Sequence, residues 1–168
     1  MTDGPTDDPI PPDDWATIVR NVPVVSVDLL VLADDGLVLG KRTNEPARGV
    51  WFPPGGTVFK GESLEDAVHR VATEEIGTDV RIDRQLGVYE HFYDTADVPD
   101  ADGKHYVAVA YAVTPVEAEL RPDDQHAALE TFATPESDLD LHPYVERYVA
   151  DLDELDELGE LGELDDGT

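Results

Sequence analysis

The residues best suited to chemistry fall in two short stretches. The first is PPGGTVFKGESLEDAVHRVATEEIGT (53–78), where Gly55 and Gly56 precede a loop and Glu62 closes it. A charged segment carrying Arg70, Glu74 and Glu75 follows. Glycines let a main chain approach a ligand closely and leave its carbonyls free to coordinate. Adjacent glutamates can offer carboxylate oxygens to a hard divalent cation such as Mg²⁺. Arg70 lies one helical turn before Glu74, where it can steer that carboxylate or neutralise a phosphate. The second stretch is PDDQH (122–126). Its Gln125 offers a neutral oxygen ligand, and a histidine, the residue type at 126, ordinarily titrates near neutrality and can take a proton from water. The first stretch outlines a metal–diphosphate site, and the second carries residue types able to bind a cation and to accept a proton. The plain alternative is a solvated helix with surface i,i+4 ion pairs and an idle loop histidine.

The elements that must position these groups follow from periodicity. A helix is expected over 63–76, with Ser63 as N-cap, Asp66 in capping-box position and Gly77 as the stop. Leu64, Ala67, Val68, Val71, Ala72 and Ile76 form its apolar side, while Asp66, Arg70 and Glu74 share another face. VPVVSVDLLVLAD (22–34) reads as a strand, Asp35-Gly36 as a hairpin turn and LVLGKR (37–42) as the partner strand. WFPPGGTV (51–58) begins as a strand that its prolines keep from full pairing. RIDRQLGVYEHFYD (81–94) and HYVAVAYAVTP (105–115) are β-branched and aromatic runs, and LETFAT (129–134) is a further strand. Residues 135–150 contain a last helix with Leu141, Val145, Tyr148 and Val149 as its stripe. These elements predict an α+β fold, a mixed sheet sandwiched between helices. Trp51, Phe52, Tyr89 and Tyr93 read as packing residues, and His69 and His142 as surface residues.

Composition bounds the rest. The chain of 168 residues suits one domain. Residues 1–14 read as a disordered acidic arm, 15–150 as the domain and 151–168 as an acidic low-complexity tail frayed by its glycines. The absence of cysteine excludes disulfides, thiolate metal sites and thiol nucleophiles. Eleven basic residues face 39 acidic ones, a net charge of −28, and residues 15–150 alone carry −14. Such self-repulsion weakens a compact state, but in molar salt the Debye length shrinks to ~3 Å. The acidity therefore points to the cytosol of a salt-loving organism, and it disfavours nucleic-acid binding, which needs a basic face. No apolar run is long enough to span a membrane, and the N-terminus lacks signal-peptide features, so a cytoplasmic location is expected.

The full spacing of the first stretch resembles the Nudix box. Gly56, Glu62, Arg70, Ala72, Glu74, Glu75 and Gly77 fall in its register, and the surrounding strands suit the Nudix fold. Val71 stands where the box usually has glutamate, which removes a potential ligand and argues against a site with several metal ions. That lapse is similar to the box of the GDP-mannose mannosyl hydrolase branch. So are LGKRTNEPARGVWFPPGG (39–56), EHFYD (90–94), KHYV (104–107) and PDDQH. The resemblance implies a Mg²⁺ or Mn²⁺ ion held by the Gly55 carbonyl, Glu75 and Gln125, with His126 as general base. It implies that Arg42, Arg70 and Tyr106 contact diphosphate or sugar, that Asp28 and the Gly56 turn help fix the substrate, and that His91 assists near the phosphates. A homodimer is also consistent with it. Thr57 departs from the branch, which usually has arginine after the glycine pair to stabilise the leaving GDP; Lys60 is the nearest cation that could compensate.

Three readings follow. One is hydrolysis of a nucleoside-diphosphate sugar, GDP-mannose foremost, to GDP and free sugar. A second, favoured by Thr57, is cleavage of the P–O–P bond of ADP-ribose, a nucleotide sugar or a modified nucleotide. A third is a non-catalytic nucleotide-sugar sensor.

Overall fold

The computed structural model describes residues 10–43, 46–121, 126–132 and 141–166, with side chains described for all but 126–127 and 155–166. In chain order the elements are α1 (Pro12–Asn21), β1 (Val24–Ala33), β2 (Gly36–Arg42), β3 (Trp51–Phe52), β4 (Gly55–Thr57), α2 (Leu64–Ile76), β5 (Val80–Tyr93), β6 (Lys104–Pro115), β7 (His126–Phe132) and α3 (Pro143–Asp166).

The mixed sheet is built around β1. One edge of β1 pairs in parallel with β6 from Val24 to Val31, and β6 pairs antiparallel with β5 along its whole length. The other edge of β1 is shared. Its end, Val31–Ala33, pairs with β2, and its start, Ser26–Asp28, pairs with β4. Likewise β2 turns from β1 to β3 at Gly40 and Lys41, while β7 occupies its opposite edge. The strands β1 and β2 therefore part like a fork, and the run 51–57 fills the opening. Its two prolines sit at the crossing between the two arms, where Pro54 needs no N–H and its carbonyl accepts from Leu29 N–H at 2.8 Å.

Helices cover both faces. On one, α2 packs Ala67, Val68, Val71, Ala72 and Ile76 onto Val27, Leu29, Val31, Val109, Tyr111 and Val113. Ser63 accepts the Asp66 N–H at 3.1 Å and Gly77 closes the helix at φ 77°, so both ends are set by the residues that the spacing singled out. On the other face, Val145 and Tyr148 of α3 pack with Leu30, Leu37, Leu39, Phe52 and Ala110. The α+β sandwich expected from the pattern is the architecture observed.

Two terminal expectations need correction. Residues 12–14 are helical, because Pro12 opens α1 at a position where its missing N–H costs nothing, and Asp13 and Asp14 favour the helix start. Ala16 and Val19 bury the inner face of this helix. The boundary at 150 falls inside α3, whose backbone continues to Asp166; Leu152 is buried and Asp151 accepts the Tyr89 hydroxyl at 2.8 Å. Among the described residues no helix is long and apolar enough to cross a membrane.

The long strand β5 lies at the end of the strand order. At Phe92 its outward N–H donates to the Tyr144 hydroxyl at 2.8 Å, and that hydroxyl donates to the Phe92 carbonyl at 3.0 Å.

Candidate active site

The glycine pair sits where the two faces meet. Gly56 pairs with Val27, and a Cβ on it would come 2.8 Å from a Val71 methyl, so only glycine lets α2 lie this close to β4. Gly55 pairs with Asp28, and a Cβ there would come 2.5 Å from Asp28 Oδ1 and 2.8 Å from the Val27 carbonyl oxygen. The neighbouring glycines thus admit Val71 from one face and Asp28 from the other. Leu29 N–H to Pro54 and Val58 N–H to Val25 mark the hydrogen-bonded positions of this ladder. By antiparallel alternation Gly55 is in a non-hydrogen-bonded pair, and its carbonyl points off the outer edge of β4.

Helix α2 aligns the charged groups. Arg70 grips Glu62 with two bonds, Nε to Oε2 at 2.7 Å and Nη2 to Oε1 at 3.0 Å. It also donates to the Thr57 carbonyl at 2.7 Å and to Glu74 at 3.1 Å, and it lies 4.5 Å over the Phe59 ring. The Phe59 N–H donates to Glu62 Oε1 at 3.1 Å, and Arg70 holds the Glu62 carboxyl below its usual range. Most of the guanidinium's donors are used in fastening the 57–62 loop to the helix, so Arg70 is placed to steer carboxylates. Glu74 is exposed, whereas Glu75 is buried one turn beyond Val71 on the inner face. Val71 itself is part of the apolar core, so its place in the pattern is filled by packing.

On the α3 face, Asp28 is buried and accepts a 2.5 Å hydrogen bond from the Tyr148 hydroxyl. Burial pushes the Asp28 carboxyl up to about 6, although the Tyr148 bond and the Arg42 charge pull it back. The same hydroxyl lies 3.1 Å from His91 Nε2. His91 stacks on Tyr144 at 4.3 Å and packs edge-on to Phe52. Burial, helped by His142, pushes His91 down to about 4, so it is neutral at working pH. Arg42 donates from Nε to the Pro46 carbonyl at 2.8 Å.

Tyr106 stands edge-on to Tyr93 and 4.9 Å under the Lys104 ammonium. Lys104 is itself buried, paired with Asp97 at 2.9 Å and lying 4.8 Å over Trp15 of α1. Trp15 also donates to Asp97 at 3.0 Å.

The structure therefore brings Asp28, His91, Arg42 and Tyr106 to one end of the α3 face. It sets Gly55, Gly56, Arg70, Glu74 and Glu75 around the β4–α2 junction. His126 opens β7 with its backbone paired to Arg42, and its side chain lies outside the described residues, as does all of Gln125. Trp51 and Phe52 pack as expected, with Trp51 edge-on to Phe132 and Phe52 buried. His69 is a surface residue, as expected, whereas His142 is half-buried. His69 contacts Asp79 at 2.7 Å, while His142 packs on Phe52 and Tyr144 and accepts the Tyr144 N–H. Tyr148 was legible only as part of an apolar stripe, and nothing in its neighbours signals a partner 120 residues away.

A NUDIX domain family model matches residues 22–152. The chain belongs to the Nudix family. The low-salt glycan biosynthesis protein Agl8 of Haloferax volcanii is 56% identical over 144 residues, 86% of this chain and 91% of that protein. An ADP-ribose pyrophosphatase of Methanocaldococcus jannaschii is 33% identical over 111 residues, covering 66% of this chain and 62% of that one. Among solved structures, a MutT NUDIX hydrolase from Burkholderia pseudomallei has a TM-score of 0.65 at 30% identity, over 77% of this chain and 97% of that chain. The MutT protein of Methanosarcina mazei Go1 has a TM-score of 0.60 at 20% identity over 80% of this chain and 96% of that chain, and it bears on the fold alone.

The chain is a Nudix hydrolase of the type found in halophilic archaea. Its helix α1 precedes the matched domain. Nudix hydrolases generally use divalent metals, and the donors described here suit one. A main-chain carbonyl aimed off β4 and a carboxylate are both hard oxygen ligands. Among the described residues no cluster of three or more histidine and carboxylate side chains forms.

Proposed function

We propose that this Nudix hydrolase uses Mg²⁺ to hydrolyse a nucleoside-diphosphate sugar, GDP-mannose foremost, to GDP and free sugar. The observation that carries this reading is Val71. A buried valine against Gly56 takes the place of a carboxylate, which suits a site for one cation rather than several. The naming of a 56% identical relative as a glycan biosynthesis protein supports a sugar-bearing substrate.

In this reading the Gly55 carbonyl, Glu75 and Gln125 hold the metal. The chemistry supplied by bound Mg²⁺ is neutralisation of charge on the departing diphosphate. His126, directly across from Arg42, takes the proton of the attacking water. The water oxygen bonds to the anomeric carbon, and the carbon–oxygen bond to the diphosphate breaks with its electron pair leaving on GDP. Asp28, Arg42 and Tyr106 hold sugar and diphosphate, with the neutral His91 beside them. Arg70 orients Glu62 and Glu74. The protein works in a salt-rich cytoplasm, so assays belong in molar KCl.

Hydrolysis in ¹⁸O-water tests the reading: the label is expected in the sugar, and label in a phosphate overturns it. Thr57 favours a second reading, P–O–P cleavage, because no arginine follows the glycines to stabilise a leaving GDP. The ADP-ribose pyrophosphatase relative supports it. Two phosphate monoesters in the ³¹P spectrum would establish it.

A further inference from the structure

We propose that Tyr148 is the positioning residue of the recognition face. Its single hydroxyl, shared between Asp28 and His91, fixes the Asp28 carboxylate beside Gly55 and sets His91 as the Nε2–H tautomer. The argument is one of donors and acceptors. A phenol hydroxyl has one proton and two lone pairs. Tyr148 is fully buried, and its oxygen has polar neighbours in Asp28 Oδ2 at 2.5 Å and His91 Nε2 at 3.1 Å. The short bond has the length of a charge-assisted O–H···O⁻ contact, so the proton goes to Asp28. Burial and the Asp28 charge both raise the Tyr148 phenol, which keeps it a donor. Its remaining polar neighbour is then met through a lone pair, and His91 Nε2 must carry the hydrogen.

The chain runs in one direction, from His91 Nε2–H to the Tyr148 oxygen and from the Tyr148 hydroxyl to Asp28 Oδ2. Asp28 Oδ1, at the far end, occupies the space that a side chain on residue 55 would need. Tyr144 stacks on the imidazole and Phe52 packs edge-on to it, which leaves the ring little freedom to flip. Helix α3 thereby sets the orientation of a carboxylate and the tautomer of a histidine that stand on two different strands.

The effect on substrate rests on the nucleotide-sugar reading, since Asp28 is taken there to touch the ligand; the hydrogen-bond chain does not. The test has two arms. In the first, ¹⁵N-labelled protein is examined by NMR at about pH 8, above the range in which Asp28 takes a proton. The His91 ring is assigned among the five histidines with His91→Gln. The unaltered protein is expected to show hydrogen on Nε2 and a lone pair on Nδ1. Tyr148→Phe is expected to give averaged tautomers with an unchanged far-ultraviolet circular dichroism spectrum. Hydrogen on Nδ1 in the unaltered protein overturns the proposal, as does a Tyr148→Phe spectrum with His91 unchanged. The first of these needs no variant to fold. In the second arm, Tyr148→Phe is expected to raise KM for GDP-mannose about tenfold with kcat within about twofold, the size expected for loosening one bond to a charged group. A fall in kcat at constant KM overturns the positioning role. Absence of GDP-mannose turnover in the unaltered protein counts against the substrate reading alone, and the first arm still decides the chain.

Discussion

The two faces of the sheet are built on different terms, and residues 55 and 56 mark the divide. Behind Gly56 lies an apolar layer in which Val68, Val71 and Ile76 seat α2 against β1, with Glu75 the buried carboxylate of that helix. Behind Gly55 lies a layer of hydroxyl, imidazole and carboxyl groups, Tyr148, His91 and Asp28, set among aromatic rings. The first layer seats α2 against β4, with Val71 on Gly56 and Arg70 bonded to the Thr57 carbonyl. The second orders polar groups by mutual hydrogen bonding at depth, where an unmatched donor or acceptor is costly. In the proposed function the first layer frames the reaction and the second tells ligands apart, and the thickness of one strand separates them.

The largest expected effects fall on the groups proposed to handle the attacking water and the metal ion. His126→Ala should lower kcat by roughly 10²–10⁴. Glu75→Gln should lower it by at least about a hundredfold, with partial recovery at raised Mg²⁺. Asp28→Asn should act mainly on KM. Steady-state kinetics in molar KCl separate the two patterns, and a kcat-only effect of Asp28→Asn would erase the distinction between the faces.

Stability of the divide comes next. Gly55→Ala and Gly56→Ala should each destabilise by about 1–3 kcal/mol, as overpacking does. Gly55→Ala should be the worse of the two, because its Cβ meets the Val27 main-chain oxygen as well as Asp28. At position 56 the obstacle is a valine methyl. Urea titration of both variants checks the order.

The smallest effect is a cancellation in pH. Between about 4 and 6 the folded state holds a proton on Asp28 that the unfolded chain lacks, so this group stabilises as pH falls. Over the same window the unfolded chain protonates His91 while the folded state does not, so that group destabilises as pH falls. The two slopes, each at most about 1.4 kcal/mol per pH unit, oppose one another. Relative to the unaltered protein, His91→Phe should gain stability on acidification and Asp28→Asn should lose it. Parallel denaturation curves in EDTA at pH 6 and pH 4 would show the divergence, and identical pH dependence in all three proteins would contradict it.

Much of the fold was legible because its signals are local. Ser63 and Gly77 bracket α2, and the β-branched runs mark β1 and β6; the first hairpin turns at Asp34-Asp35, one residue before the expected pair, because Gly36 already pairs with Ala33. The box spacing placed Gly56, Arg70, Glu74 and Glu75 on one turn-and-helix unit. The terminal helices were harder to read. Acidic residues and glycines obscured α1 and the length of α3, although Pro12, Asp13 and Asp14 are helix-start residues. What Arg70 does was open until Glu62 and the Thr57 carbonyl were seen to occupy it. The partners of Asp28 lie on β5 and α3, and no local pattern announces a contact made by packing across a sheet.

The Tyr144 hydroxyl at Phe92 has a consequence for how molecules meet one another. An outermost strand of 14 residues offers a template on which a stray chain could align. With both main-chain groups of Phe92 already engaged, a newcomer cannot run past that position in register. One phenol from the last helix thus divides a long adhesive border into shorter stretches, a useful safeguard when high salt has muted the repulsion that keeps acidic proteins apart.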